Sequence, residues 1–546
     1  MGGFLSHLKA ENNQTIFSST CGPIRGNIYK HDDKIVDGYL GIPFAKAPVG
    51  DLRYKKPVAA DKWQEPIDCY KYGPGCPQSG FIANTFLPFV DSNFAEDNCL
   101  SLNVFAPRQT SCEFPKGLPV VVYFYGGGFE VGFSWMIDDY SLSGTLPLRD
   151  LVVVSANYRV GPLGFFTTGD DVAKGNYGLW DQTLALKWVQ EHIASFGGDP
   201  DNVTIFGTSA GGASVDFLAL SPHSNKLFHR FMANSGSAYC DGVIRPKDLQ
   251  AKIFREFAKS VGYEGEDSQS LLEWYQAQEL DKFTETENFK NPASGLLTFI
   301  PNLDGDFFPK PLDQLRKEAP KLDVIATVGE YEGLGFLMHV PENQPFEETV
   351  ASVFGSDVVM DTDGTKKKIV DFYMKNVDTN DKSAVTKKLV EFLGDAWFNI
   401  GALDTVRSCA KYGNNVYLAS FDYYCKDGEM YPMEESYPFR AATHGSELRF
   451  IFGEGFGKFN PVEEELKMMD MMGTMVANFA KYGNPNGRNG PELWEKYNLD
   501  HPDRYFKIDY PKSEMRDNFQ GGRMKVFDEI NKDGKKYQEI VYGKKL

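Results

Sequence analysis

Apolar, β-branched runs punctuated by glycine recur at Leu118 to Tyr125, Leu151 to Tyr158 and Val203 to Phe206. Each is short and continuous rather than alternating, the pattern of a strand buried on both faces of a parallel sheet. Between the second and third runs, Tyr177 to Val189 carries apolar residues at helical spacing. Strand, crossover helix and strand form a βαβ unit, which requires parallel strands. Further strands are expected at Phe231 to Asn234, Val324 to Val328 and Val416 to Phe421. Residues 241–290 are rich in helix formers and charge and predict an inserted helical cap. No repeat, low-complexity tract or linker rich in Pro, Gly or Ser divides the chain. The expectation is one α/β domain over residues 1–546, a mostly parallel sheet flanked by helices, with residues 1–15 as a flexible start.

The third run leads directly into Gly207-Thr208-Ser209-Ala210-Gly211 and then a small-residue helical stretch. A serine between glycines at a strand-to-helix turn is the pattern of a nucleophile elbow, where the hydroxyl is lifted out of the sheet at a helix N-terminus. Such a serine needs a base, an acid to orient that base, and donors for the oxyanion. In α/β-hydrolases the acid and then the histidine follow the serine, each on a loop after a strand. After Val324 to Val328 comes Gly329-Glu330-Tyr331-Glu332-Gly333, which offers two acids, and further on comes Ala442-Thr443-His444-Gly445. His444 is the histidine in a glycine-flanked turn after the acids, whereas His192, His223 and His229 read as helix-surface or capping residues. The oxyanion donors are expected from Tyr125-Gly126-Gly127-Gly128-Phe129, which follows an earlier strand: the amides of Gly127 and Gly128, together with that of Ala210. No metal-ligand spacing occurs, so neither a metal nor a cofactor is called for.

The chain resembles the type-B carboxylesterase and cholinesterase family over nearly its whole length. The resemblance runs from Gly41-Ile42-Pro43-Phe44-Ala45 through Glu96-Asp97-Asn98-Cys99-Leu100 to Asn478-Phe479-Ala480-Lys481-Tyr482-Gly483-Asn484-Pro485. It implies an α/β-hydrolase fold with a gorge over Ser209, the nucleophile, and His444 as general base. It also implies Glu332, rather than Glu330, as the orienting acid, with Ser235 and Glu447 as nearby polar groups. Two departures stand out: Thr208 occupies a position where the family usually has glutamate, and Asn98 is an extra residue before Cys99. The family's tryptophan that holds a quaternary ammonium is missing between Cys76 and Glu96, where the aromatics are Phe81, Phe86, Phe89 and Phe94. The acyl pocket is expected at Gly295, Leu297 and Phe299, roomier than in acetyl-selective relatives. The implied activity is hydrolysis of small to medium neutral esters through an acyl-enzyme. Acyl transfer through the same residues, and a catalytically inactive binding protein, are the rivals.

Composition narrows the partners. A formal net charge of −18 repels phosphate backbones, so nucleic acid is not expected. No apolar stretch is long enough to span a membrane, and no secretory h-region opens the chain. Met1-Gly2-Gly3-Phe4-Leu5-Ser6 matches an N-myristoylation pattern at Gly2 as readily as a fortuitous flexible start, and a single acyl chain gives only weak membrane association. A cytoplasmic location is therefore expected, with Cys76 and Cys99, which could pair under oxidising conditions, reduced. The sequence leaves the oligomeric state open.

Overall fold

A computed structural model describes residues 10–79, 93–108, 112–284, 289, 297–354, 364–426, 435, 437–453, 459–532 and 541. Its centre is a twelve-stranded sheet. In chain order the strands are β1 (Glu11–Asn12), β2 (Asn27–His31), β3 (Lys34–Pro43), β4 (Ser101–Pro107), β5 (Leu118–Phe124), β6 (Val152–Ala156), β7 (Gly198–Thr208), β8 (Arg230–Asn234), β9 (Asp323–Gly329), β10 (Asn415–Phe421), β11 (Tyr505–Ile508) and β12 (Glu514–Arg516). Across the sheet they run β1-β2-β3-β4-β6-β5-β7-β8-β9-β10-β11-β12. Across the sheet every neighbouring pair from β6 to β11 is parallel, while the pairs β1–β2, β2–β3, β3–β4, β4–β6 and β11–β12 are antiparallel.

All seven residues of β5 and all five of β6 are buried, as their continuous apolar runs require of strands covered on both faces. The crossover helix α1 (Tyr177–His192) joins β6 to β7, and α2 (Ala210–Leu220) follows β7 with every residue buried. Arg159, just beyond β6, grips Asp181 of α1 through two bonds of 2.8 Å, and both side chains are almost wholly enclosed. This bidentate pair fixes the crossover under the sheet. The expected cap is helical in its described part, with α3 (Lys247–Ser260) and α4 (Ser268–Ala277). A long helix that the sequence did not single out runs as α5 (Lys382–Gly394), a π-helical turn at Asp395–Asn399, and α6 (Ile400–Lys411). No helix among the described residues is long and apolar enough to cross a membrane. Gly2 lies outside the described residues.

Cys76 and Cys99 are joined in a disulfide, which corrects the expectation of reduced thiols. That expectation rested on an assumed compartment and not on the packing of the two side chains. The fold instead packs the two cysteines against each other, fully buried, and encloses the bond in the core. A covalent closure of this length, with 23 residues of separation, restricts the unfolded chain. Cys76→Ser combined with Cys99→Ser should lower unfolding stability by about 3 kcal/mol. Urea denaturation of the oxidised wild type and of the variant, compared at equal slope, checks it; coincident midpoints would contradict it.

Candidate active site

The strand ends bring the site together. Register pairs Thr208 of β7 with Asn234 of β8, and Asn234 with Thr327 of β9, so the loops after these three strands emerge side by side. Ligands of open α/β sheets gather at such carboxyl ends.

Ser209 stands alone between β7 and α2, with φ 60° and ψ −128°. A non-glycine residue rarely adopts positive φ, and its presence here marks a turn held by its surroundings. The flanking glycines permit the turn: a Cβ on Gly207 would collide with the Gly211 carbonyl, and one on Gly211 with the carbonyl of Phe124. The Ser209 amide is held by the Asn234 carbonyl at 2.9 Å. Its side chain is partly exposed, unlike the fully buried residues on either side of the elbow. Ala210 opens α2, so its amide belongs to the first turn, whose N–H groups have no partner within the helix.

The glycine-rich loop lies directly on this turn. A Cβ on Gly126 would stand 2.8 Å from the Cβ of Ser209. Beyond it the backbone adopts positive φ at Gly127 (116°), Gly128 (64°) and Phe129 (63°). The Gly127 carbonyl accepts the amides of Glu130 and Val131, each at 3.0 Å, which closes the loop on one side. In a trans peptide the N–H points opposite to the carbonyl, so the Gly128 amide faces away from that closed side.

After β9 the chain turns through Glu330 and Tyr331, and Glu332 begins a short 3₁₀ segment. Glu332 is fully buried. One oxygen, Oε1, accepts the Ser235 hydroxyl at 2.6 Å and the Gly329 amide; the other, Oε2, meets Nδ1 of His444 at 2.7 Å. A buried carboxylate with donors on both oxygens is fixed in orientation and able to orient an imidazole. The 443–446 turn is itself tied down, since the Thr443 amide bonds Ser446 Oγ at 2.9 Å and Thr443 Oγ1 receives the Gly335 amide at 3.1 Å. Glu330 goes elsewhere. Its backbone bonds the Phe421 carbonyl at 3.0 Å, and burial, reinforced by the charge of Asp422, pushes its carboxyl up to about 7. Of the two acids the sequence offers, Glu332 is the one in contact with His444.

Ser235 and Glu447, expected as nearby polar groups, are both buried, and each interacts with Glu332. Glu447 accepts from the Asn234 side-chain amide at 3.4 Å. Burial first, and the charge of Glu332 second, push its carboxyl up to about 7. It is therefore neutral at acid pH and gains a charge near His444 as the pH rises through that value. Thr208 is buried at the end of β7.

Two aromatic rings with no signal in the sequence flank the imidazole. Phe336 meets it edge-on with centroids 4.9 Å apart, and Phe398 of the π-helical turn lies 4.4 Å away. An aromatic at either place carries no local motif; only the fold brings it to His444. Of the residues expected at an acyl pocket, Leu297 lies against the glycine loop, its Cδ2 2.8 Å from where a Gly128 Cβ would stand. Phe299 is 1% exposed and packs between Phe254 and Phe257 of α3, which makes it a core residue of the cap. Gly295, Phe81, Phe86 and Phe89 lie outside the described residues. Phe94 contacts Phe133, on which Trp135 stacks at 3.7 Å, so a tryptophan stands near this loop from another segment. His192 and His229 have structural partners, Thr20 Oγ1 at 2.8 Å and the Val203 amide at 3.1 Å. No cluster of metal-ligating side chains occurs among the described residues.

A strand-to-helix elbow bearing a positive-φ serine, on a mostly parallel sheet whose next loops supply a paired glutamate and histidine, defines an α/β-hydrolase. The sequence model of the Carboxylesterase family matches residues 13–527. The chain is 54% identical to "Esterase cest-33" of Caenorhabditis elegans, over 100% of this chain and 99% of that protein. It is 34% identical to "Fatty acyl-CoA hydrolase precursor, medium chain" of Anas platyrhynchos, over 92% and 89% of the two. To "Cholinesterase" of Mus musculus it is 32% identical, over 92% and 84%. The chain belongs to the carboxylesterase family, whose members are serine carboxylic-ester hydrolases.

Proposed function

We propose that this chain hydrolyses small to medium neutral carboxylic esters through a covalent acyl-enzyme on Ser209. The observation that carries the reading is the buried Glu332–His444 hydrogen bond of 2.7 Å, on the loop after β9, two strands from the elbow after β7. In the first half-reaction Ser209 Oγ attacks the ester carbonyl while His444 Nε2 takes the hydroxyl proton. The resulting oxyanion is held by the amides of Gly127, Gly128 and Ala210, and losing one such donor costs about 100-fold or more in rate. Collapse breaks the bond to the alcohol, which leaves with the proton from His444. Water then attacks the acyl-enzyme by the same route, returning Ser209 and releasing the acid. Throughout, Glu332 holds Nδ1–H and stabilises the imidazolium, and Ser235 keeps Glu332 in place.

The substrate class follows from what surrounds the serine. Thr208 puts no charge beside the nucleophile, and Leu297 bounds the acyl side with an aliphatic rather than an aromatic side chain. Activity on p-nitrophenyl esters should accordingly rise in kcat/KM from acetyl to butyryl, and acetylcholine should be a poor substrate. A panel of acyl lengths run beside acetylcholine and an uncharged ester of similar size tests this. Faster turnover of acetylcholine than of the uncharged ester would contradict the substrate class, and would point to Trp135 and its neighbours as a cation-binding face.

A further inference from the structure

Glu130 follows the triple glycine by two residues and reaches across to the other wall of the site. Its Oε1 accepts the backbone amides of Thr298 at 2.6 Å and Phe299 at 3.1 Å. The carbonyls of the same strip are held from the cap side, by Arg245 on a short strand paired with residues 302–303 and by Gln250 of α3. Arg245 donates to the Leu297 carbonyl at 2.6 Å and to the Thr298 carbonyl at 3.0 Å, and Gln250 adds a bond of 3.0 Å to Thr298. Arg245 and Gln250 are both buried. Burial raises the Glu130 carboxyl, opposed by the two amides and by the charge of Arg245. Three consecutive residues are thus clamped by five hydrogen bonds, two to the Glu130 carboxylate through their amides and three from the Arg245 and Gln250 side chains to their carbonyls. The clamp presses Leu297 onto Gly128, whose added Cβ would lie 2.8 Å from Leu297 Cδ2.

We propose that Glu130 is a specificity-determining positioning residue: its carboxylate latches the strip 297–299 to the glycine loop and so sets the depth available to the acyl chain beside the oxyanion donors. The inference rests on ester hydrolysis at Ser209. Both amides converge on the one oxygen Oε1, so withdrawing or removing that oxygen leaves two donors unmet and lets the strip move. A shift of one methylene in such a wall is worth on the order of tenfold or more in discrimination between substrates. The relevant acceptor is a single oxygen, which a glutamine side chain reproduces and a leucine does not.

The test compares Glu130→Gln, Glu130→Asp, Glu130→Leu and Leu297→Ala with the wild type by the ratio of kcat/KM for hexanoyl over acetyl p-nitrophenyl ester. Glu130→Gln should keep the wild-type ratio within about twofold, while Glu130→Leu and Leu297→Ala should raise it roughly tenfold or more. Glu130→Asp, which keeps the charge but falls a methylene short, should move the ratio in the same direction and serves if the leucine variant fails to fold. An unchanged ratio in Glu130→Asp and in every folded Glu130→Leu preparation overturns the proposal, as does a shift in Glu130→Gln equal to that in Glu130→Leu. Absence of Ser209-dependent hydrolysis in the wild type would be a failure of the esterase reading itself, visible before any variant is compared.

Discussion

Ser209→Ala should reduce kcat on p-nitrophenyl butyrate by about 10⁴-fold or more while leaving the thermal midpoint close to that of the wild type. The residues of a catalytic triad act as a unit, so removing the nucleophile removes nearly all of what the base and acid contribute. What remains is the background from the oxyanion donors and substrate binding, roughly 10³- to 10⁴-fold over water. The fold should tolerate the change because Ser209 sits at positive φ through the constraints around it, its amide bonded to Asn234 and its neighbours packed at Gly126 and Gly207. An alanine at φ 60° carries some strain, so the control is Ser209→Gly, equally inactive and free of that strain. Retention of more than about a hundredth of wild-type kcat in both variants would remove Ser209 from the mechanism.

The second large effect separates the two acids of the 329–333 turn. Glu332→Gln should cost about 10³-fold or more in kcat, because an amide in place of the carboxylate allows the wrong imidazole tautomer and gives no stabilisation to the cation. The Ser235 hydroxyl and Gly329 amide would still have an oxygen to donate to, so the loss falls on catalysis more than on folding. Glu330→Gln should cost little at neutral pH. Its carboxyl, pushed up to about 7 by burial and Asp422, is already largely protonated on the acid side of neutrality, and an amide resembles that form. The sign also follows for stability. A carboxyl whose folded value lies above its unfolded one favours the folded state at low pH, and that contribution is lost as the pH rises from about 4.5 through 7. Glu330→Gln should therefore flatten part of the stability loss between those values. Steady-state kinetics on both variants, with thermal midpoints measured across this pH range, decide the assignment. A greater kinetic loss in Glu330→Gln would move the orienting role to that residue.

Much of this was legible from the chain because parallel strands buried on both faces write themselves as unbroken apolar runs. The runs at 118–125, 151–158 and 203–206 became β5, β6 and β7 with ends shifted by a few residues, and the intervening helical pattern became α1. The antiparallel half was not read. In β3, Gly38, Asp37 and Gly41 interrupt the apolar residues, so neither alternation nor a continuous run marks a strand that the register with β2 and β4 nevertheless fixes. The long helix through residues 382–411 carries no such signal, and neither does Phe398, which lies in its π-helical turn and packs on His444. Ser209, His444 and the glycine loop announce themselves through local turn chemistry. The choice between Glu330 and Glu332 needed either the family resemblance or the fold, since two acids on one turn differ only in which way the backbone aims them. Glu130 carried no motif at all: its meaning lies in contacts with residues 168 and 169 positions away. The disulfide between Cys76 and Cys99 is not legible in the sequence, because it depends on the packing that brings the two buried side chains together.

The most direct test is covalent capture of the nucleophile. A fluorophosphonate reacts only with a serine that an adjacent base and an oxyanion site have activated. Wild-type protein treated with it should take up one phosphonyl group per chain, and peptide mass spectrometry should place that group on Ser209, with labelling abolished in Ser209→Ala and strongly slowed in Glu332→Gln. Uptake at a different residue, or no uptake by folded wild-type protein, would contradict the account.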